Sequence, residues 1–415
     1  MESNRGKEEK QGSPTMSSTV AGQDQSFSNT NLTTTKKPLQ DYGASNVLVL
    51  GMEVNGVKYQ GILLPQKEKV MKMRVAIVGA GVIGLTSALA LKETFPKYQV
   101  TIFSTVFTPN TTGDGSAGLW GPFLLGDTPK EDIFKWAGKT HRLFEKFWRT
   151  GLAKETGLCL VPITRVTSEN DTNETPWFKL VYGIHSLTTD ELKKLNEEHK
   201  SNYVNGWHFV TYTCEPTRFL PWLTNKFLAL GGELKRRTIR DLGELIDDGY
   251  EIVINCSGLG ARELVNDDTV TAVRGQVSRV KAPWVMHSFL VDDNDCYYVI
   301  PNTNTVVLGG THQEGDYDLK VREKDTKFIY EGCHRILPSL KKAEILRSWV
   351  GLRPGRPKVR LEAEILESKT NGKKYHVIHN YGHGGAGLTL SWGCALDVVE
   401  IVQSIDRNGI QHSKL

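Results

Sequence analysis

Residues Gly79, Ala80, Gly81, Val82, Ile83 and Gly84 form a glycine-rich turn of the kind that grips phosphates. The apolar run Val75 to Val78 precedes it, and Leu85, Ala88, Leu89 and Leu91 follow at helical spacing. Strand, glycine turn and helix, in that order, are the context a dinucleotide-binding turn requires. Gly79 allows the sharp bend, Gly81 lets the backbone approach a pyrophosphate, and Gly84 lets helix and strand pack closely. Phosphates then meet the free N–H groups at the helix N-terminus, where the helix dipole favours anions. The next predicted strand, 99–103, should end on a carboxylate for the ribose hydroxyls. Here the chain reads Ser104-Thr105-Val106, so that contact is unaccounted for. Two later runs of small residues also suit close passage of backbone along a flat ligand. One is Thr111 to Trp120 (TTGDGSAGLW) and the other 380–389 (NYGHGGAGLT), which opens a helix.

These loops need elements to hold them. Besides the first strand, YEIVIN at 250–255 reads as a buried strand that ends in the small residues Cys256-Ser257-Gly258. Helical spacing covers 131–149, with an aromatic stripe, and 216–230, closed by Gly231-Gly232. The runs VRGQVSRV, CYYVIP and TVVLGG within 273–312 predict an antiparallel sheet apart from the nucleotide sheet.

At the other end, residues 1–46 carry almost no large apolar side chains and are expected to be disordered, because they cannot bury enough surface to offset ordering. Alternating apolar residues on both sides of Asn55-Gly56 predict a β-hairpin in 47–64, followed by a charged linker to about residue 72.

The 415 residues allow two or three domains, and a net charge of +4 gives no reason to expect a nucleic-acid or membrane-surface partner. The six cysteines lie far apart with no CxxC pair, which argues for reduced thiols and against a zinc site or a disulfide frame. No apolar run approaches the roughly 20 residues of a transmembrane helix, and no membrane insertion is expected. The chain ends Ser413-Lys414-Leu415, which predicts a peroxisomal matrix location through the import receptor.

The ordered set VGAGVIGL, FTPNTTGDGSAGLW, VRGQV, YVIP, VGLRPGRP and HNYGHGGAGLTLSWG resembles the D-amino acid oxidase family of flavoproteins, from about residue 73 to the C-terminus. EPTRFLPWL, VINCSGLGAREL and GGTHQEGD resemble the branch that acts on acidic D-amino acids. The resemblance implies an α/β fold with a discontinuous Rossmann-like FAD-binding domain (about 73–120, 213–262 and 346–412). It also implies a substrate domain with a curved antiparallel β-sheet (about 121–212 and 263–345). It implies FAD as cofactor, with Gly79, Ala80, Gly81, Val82, Ile83 and Gly84 at the pyrophosphate. Thr111, Thr112, Ala117, Gly118 and Leu119 would line the ribityl chain and flavin, and Ile239 and Ser257 the adenine side. Gly384, Gly387, Leu388 and Thr389 would bring N–H groups and a hydroxyl to the flavin's pyrimidine edge.

The implied reaction is oxidative deamination of D-aspartate and D-glutamate by hydride transfer to flavin N5, with oxygen as acceptor and hydrogen peroxide as product. Arg353 would hold the α-carboxylate in its planar fork, which a lysine cannot copy. Tyr298 would add a phenol hydroxyl, and the Gly385 carbonyl would accept from the amine. Arg356 reads as a structural neighbour. For the substrate's second carboxylate, the acidic branch uses arginines at two places where this chain has Leu290 or Val291 and His312. His312 is the candidate cation here. Phe123 and Gly385, at other branch positions, suit a neutral pocket. Neutral D-amino acids are therefore the alternative substrates, and a partner-binding hairpin fused to a degenerate oxidase is a third reading.

Overall fold

The computed structural model describes residues 31–35, 48–54, 57–63, 73–170, 176–293 and 296–412. The chain divides into two units, 1–71 and 72–415. In the first, Leu48–Val54 and Val57–Leu63 pair antiparallel, with Val54 opposite Val57. The Asn55-Gly56 turn and the linker that follows the hairpin lie outside the described residues. Asn31–Thr35 pairs antiparallel along the other edge of Leu48–Val54. This strand corrects the expectation of disorder through 1–46. Its three threonines are β-branched and favour extended backbone. The rest of 1–46 lies outside the described residues.

The second unit is a mixed α/β structure built on two sheets. Among the described residues the first has six strands. Arg74–Val78 lies at its centre, parallel to Ile252–Asn255 on one side and Gln99–Ser104 on the other. Val75 to Val78 are buried because both faces of this strand are covered. Glu233–Arg236 and Lys374–Tyr381 continue the sheet in parallel, and Arg360–Glu367 closes it antiparallel. The Val82–Thr94 helix packs on the long Gly387–His412 helix, which also packs on Lys130–Arg149. The segment Gly387–Arg407 is long and apolar enough to cross a bilayer, where the sequence predicts no apolar run of that length. It instead buries Ala395, Val398 and Val402 in the core that these helices share. Gly393 lets the helix pass against the backbone of Trp136, where a Cβ would stand 2.2 Å from the Trp136 carbonyl oxygen.

The second sheet has nine strands among the described residues. It is mostly antiparallel, with one parallel pair, Ser288–Val291 against Leu158–Thr167. That pair joins two antiparallel blocks remote in sequence, which no hairpin connects, so the expected antiparallel sheet is a mixed one. Glu344–Gly355 pairs antiparallel along Thr271–Lys281 and so belongs to this sheet. The chain enters the nucleotide half after Gly355, not at 346. The Lys130–Arg149 helix, expected in the substrate half, shares a core with the nucleotide-half helices.

One buried network braces the second sheet beneath the site. Arg274 is fully buried and donates to Asp325 Oδ2 (2.7 Å), to the Asp318 and Lys320 carbonyls, and to the side chains of Gln313 and Gln276. The Gln276 N–H donates to Thr311 Oγ1 (2.9 Å), which fixes the turn above. Removing one partner of a buried ion pair leaves an uncompensated charge. Asp325→Ala should therefore lower unfolding stability by about 3 kcal/mol or more, read from denaturant or thermal melts. A change within a few tenths would show that the remaining acceptors satisfy Arg274 alone.

Candidate active site

A cavity of about 940 Å³ is lined by residues of both sheets. At its nucleotide end Gly79 adopts φ +107° and passes so close to the next strand that a Cβ would stand 2.3 Å from the Cys256 carbonyl oxygen. Gly81 precedes the Val82–Thr94 helix, whose N-terminus has no side-chain cap. A Cβ on Gly81 would meet nothing within 4 Å. Its flank is open space beside uncapped N–H groups, which is an anion cradle. Ala80, Val82 and Ile83 also line the cavity. Gly84 does not: a Cβ there would stand 1.9 Å from the Gly79 carbonyl oxygen, so its role is to let helix and strand meet.

Thr111, Thr112, Ala117, Gly118 and Leu119 line the middle of the cavity, with Ile239, Ser257, Gly384, Gly387 and Leu388. The 111–119 loop is held by its own Asp114, whose Oδ2 accepts from the Thr111 N–H (2.8 Å) and hydroxyl (2.7 Å). The second sheet supports it too. Arg279 donates to the Ser116 carbonyl (2.8 Å) and Asn302 to the Ala117 carbonyl (2.9 Å). Thr389 does not line the cavity. Its hydroxyl accepts from the Gly121 N–H and donates to the Gly121 carbonyl, both at 3.1 Å, so it ties two backbone segments together.

Three residues on the cavity wall carry buried polar atoms without a partner among the described residues: Ser116 Oγ, Asn380 Oδ1 and His383 Nε2. Burial pushes the His383 imidazole down to about 3, so it is neutral at ordinary pH. Buried polar atoms are normally satisfied. Three orphans along one cavity, together with the open cradle at Gly81, fit an extended polar cofactor.

The other end is built on one face of the second sheet. Arg353 reaches across to Gly275, where a Cβ would stand 2.4 Å from both terminal nitrogens. Its Nη1 donates to the Thr311 carbonyl (2.9 Å), on the turn that Gln276 fixes. Tyr298 lies against Gly309 and Gly310, where added Cβ atoms would strike its ring and hydroxyl. Burial pushes the Tyr298 phenol up to about 12, with Arg353 beside it pulling the other way. The phenol is therefore a hydrogen-bond donor throughout the neutral range. Gly385 lines the cavity against Phe123. Arg353, Tyr298 and Gly385 are thus brought to one space.

His312 is not among the lining residues. Its Nδ1 lies 3.6 Å from Cys296 Sγ, and Cys296 lines the wall in its place. Arg356 is structural, donating to Asp267 Oδ2 (2.9 Å) and to the Lys358 carbonyl. Burial works to raise the Asp267 carboxyl, but hydrogen bonds from Thr269, Tyr381 and Arg356 outweigh it and hold the group below its ordinary value. Sequence reasoning missed Arg165 and Trp349, which line the cavity, and Arg279, which holds the loop. Strand alternation was available at each, but the pairing that aims them at one space was not.

A mostly parallel sheet carrying a glycine phosphate turn, with a second sheet closing the cavity from the far side, defines a flavin-dependent oxidoreductase. Residues 74–401 match the family model described as FAD dependent oxidoreductase, and the chain belongs to that family, which binds FAD. It is similar to the D-aspartate oxidase of Homo sapiens, 40% identical over 330 residues that cover 79% of this chain and 94% of the relative. The D-amino acid oxidase of Dugesia ryukyuensis is also 40% identical, over 336 residues covering 80% and 98%. Glycine oxidase from Geobacillus kaustophilus shares the fold, with a TM-score of 0.64 at 19% identity, over 80% of this chain and 95% of that one. These relationships support FAD-dependent oxidative deamination of D-amino acids.

The cradle can be tested directly. Gly81 has φ −74°, which any residue adopts. Gly81→Val should fold yet fill the phosphate space. The purified variant should lack the visible flavin absorbance and bind added FAD at least about tenfold more weakly. A normal flavin spectrum would move the pyrophosphate elsewhere.

Proposed function

We propose that this chain oxidises acidic D-amino acids, D-aspartate and D-glutamate, to the 2-oxo acid, ammonia and hydrogen peroxide. The observation that carries the reading is the Arg353–Tyr298 pair, two donors set side by side on bare glycine backbone and facing the FAD cavity. Bound FAD supplies the two-electron acceptor that takes hydride from the substrate Cα and passes the electrons to oxygen. The protein's part is orientation. Arg353 keeps most of its fork for the α-carboxylate after giving one N–H to Thr311, and Tyr298 donates to the same group. The Gly385 carbonyl accepts from the amine. With carboxylate and amine both fixed, only one enantiomer turns its α-hydrogen to the cofactor. The acidic preference draws on similarity to D-aspartate oxidase and on a cationic group at the far wall of the cavity.

A second reading has support of its own. Phe123 and Leu290 line the same space and would suit neutral D-amino acids. Peroxide formation measured with D-aspartate, D-glutamate, D-alanine and D-proline, beside their L-isomers, separates the two. Only D-isomers should react, with the acidic pair ahead. Arg353→Lys should lose about 100-fold or more in kcat/KM while the flavin spectrum persists. Unchanged turnover would remove Arg353 from its role.

We propose in addition that Ser413-Lys414-Leu415, outside the described residues, directs the enzyme to peroxisomes, where peroxide is removed. A fluorescent fusion ending in residues 408–415 should colocalise with a peroxisomal matrix marker and become diffuse without the last three residues. Diffuse signal from the intact tail would refute this.

A further inference from the structure

The cavity face of the second sheet carries one continuous cross-strand row. Its register runs Trp207, Arg165, Leu290, Tyr298, Gly309, Val277, Trp349. Register partners point to the same side of a sheet, so these side chains share a face. Arg165, Leu290, Tyr298, Val277 and Trp349 all line the cavity. Arg165 therefore stands two strands from Tyr298, a Cα separation of roughly 10 Å, with Leu290 between them. Side chains converge on the intervening space from both ends.

Arg165 is held as a recognition group would be. Its Nε donates to Asp292 Oδ2 (2.9 Å), and its Nη2 donates to the same oxygen. The guanidinium lies 5.8 Å from the ring centres of Trp177 and Trp207. Nη1 makes no hydrogen bond among the described residues. The side chain is 21% exposed, and the residue lines the cavity. The other cations on the wall besides Arg353 are Arg237 and Arg240, which flank Ile239 at the nucleotide end. Among the described residues, Arg165 is thus the cation that shares the substrate face with Arg353.

We propose that Arg165 reads the side-chain carboxylate of an acidic D-amino acid whose α-carboxylate is held by Arg353. This rests on the oxidase reading above. Leu290 supplies an apolar floor for the methylene groups between the two carboxylates. Nη1 and the second N–H of Nη2 remain to donate to the carboxylate. Asp292 is a positioning residue: it spends one oxygen on the inner edge of the fork and leaves the outer edge to the ligand. The cation expected at His312 is supplied instead from the strand parallel to Leu290. A charged hydrogen bond that one substrate makes and another lacks separates the two by selection rather than by general affinity.

The test uses the FAD-loaded enzyme, with Arg165→Met and Arg165→Lys. The ratio of kcat/KM for D-aspartate over D-alanine should fall about 10- to 100-fold in Arg165→Met, the worth of a lost charged hydrogen bond, and less in Arg165→Lys. In parallel, succinate and propanoate, which carry two and one carboxylates and no amine, are titrated against the flavin spectrum. Succinate should weaken about tenfold or more relative to propanoate in Arg165→Met. The lysine variant, which keeps the charge, covers the case in which Met disturbs folding. A ratio that moves less than about threefold in both measurements overturns the proposal. So does a wild-type preference for D-alanine, D-proline or D-lysine; the last would make Asp292 the reading group. If the wild-type enzyme turns over no D-amino acid while succinate binding still depends on Arg165, the oxidase reading fails and the carboxylate site stands.

Discussion

Arg353 lies where it does because Gly275 has no side chain. A single carbon there would stand 2.4 Å from both guanidinium terminal nitrogens. The same holds on the adjoining strands, where Gly309 and Gly310 leave room for the Tyr298 ring. The two groups that can grip a carboxylate therefore rest on bare backbone, which has no rotamers to rearrange. Their position is set by sheet register rather than by neighbouring side chains. The Thr311 carbonyl then takes one Arg353 N–H, and the Thr311 hydroxyl accepts from Gln276, whose amide is held in turn by Arg274 and Arg322. A fully buried cation with every donor engaged is costly to move, so the turn beneath Arg353 inherits its rigidity.

The two sheets share one apolar core, and polar links to backbone add direction to the contacts that hold the cavity between them. Arg279 and Asn302, from the second sheet, hold the 111–119 loop that follows the first. Leu119 bridges to Thr213, and Thr389 clasps Gly121. Apolar burial alone would leave the halves free to slide, because it is non-directional. Hydrogen bonds to particular carbonyls fix the offset. The chain also crosses between halves repeatedly: Glu344–Gly355 serves the second sheet, and Arg360–Glu367 the first. Neither half can shift without straining these crossings.

The phosphate end was legible because its signal is local. Strand, glycine turn and helix lie within some twenty residues, and each glycine answers a steric demand that its neighbours impose. Arg353 and Tyr298 were legible through motif resemblance. What escaped was set by pairing between distant segments. Nothing near Arg165 says that its strand will lie parallel to Ser288–Val291, so nothing local aims it at Tyr298. His312 misled for the same reason. It is near the site in sequence order, but its ring meets Cys296 instead of the cavity. Thr389 was placed at the cofactor because it sits inside the right motif, yet its hydroxyl is consumed by a backbone contact that the motif itself does not display. The strand at Asn31–Thr35 escaped because composition describes a segment's average, while a five-residue stretch with three β-branched threonines beside a ready edge suffices to pair.

The charges of the cavity follow from the same logic of standing geometry. A phenol pushed up to about 12 stays protonated near a bound carboxylate, so Tyr298 adds a donor without adding a negative charge. Arg353 opposes that shift, which means that a bound carboxylate, by offsetting Arg353, would favour the neutral phenol further. At the far wall a lone guanidinium over an apolar floor would carry an uncompensated desolvation cost. Asp292 offsets it, and the rings of Trp177 and Trp207 lie beside the group. The pair gives up some net positive field in exchange for a fork that is already oriented when substrate arrives. On the proposal that Arg165 reads a carboxylate, selection would depend on hydrogen-bond geometry at one edge of Arg165 and not on the summed charge of the pocket, so that a cavity walled by Leu290 and Phe123 would still distinguish a carboxylate from a methyl group.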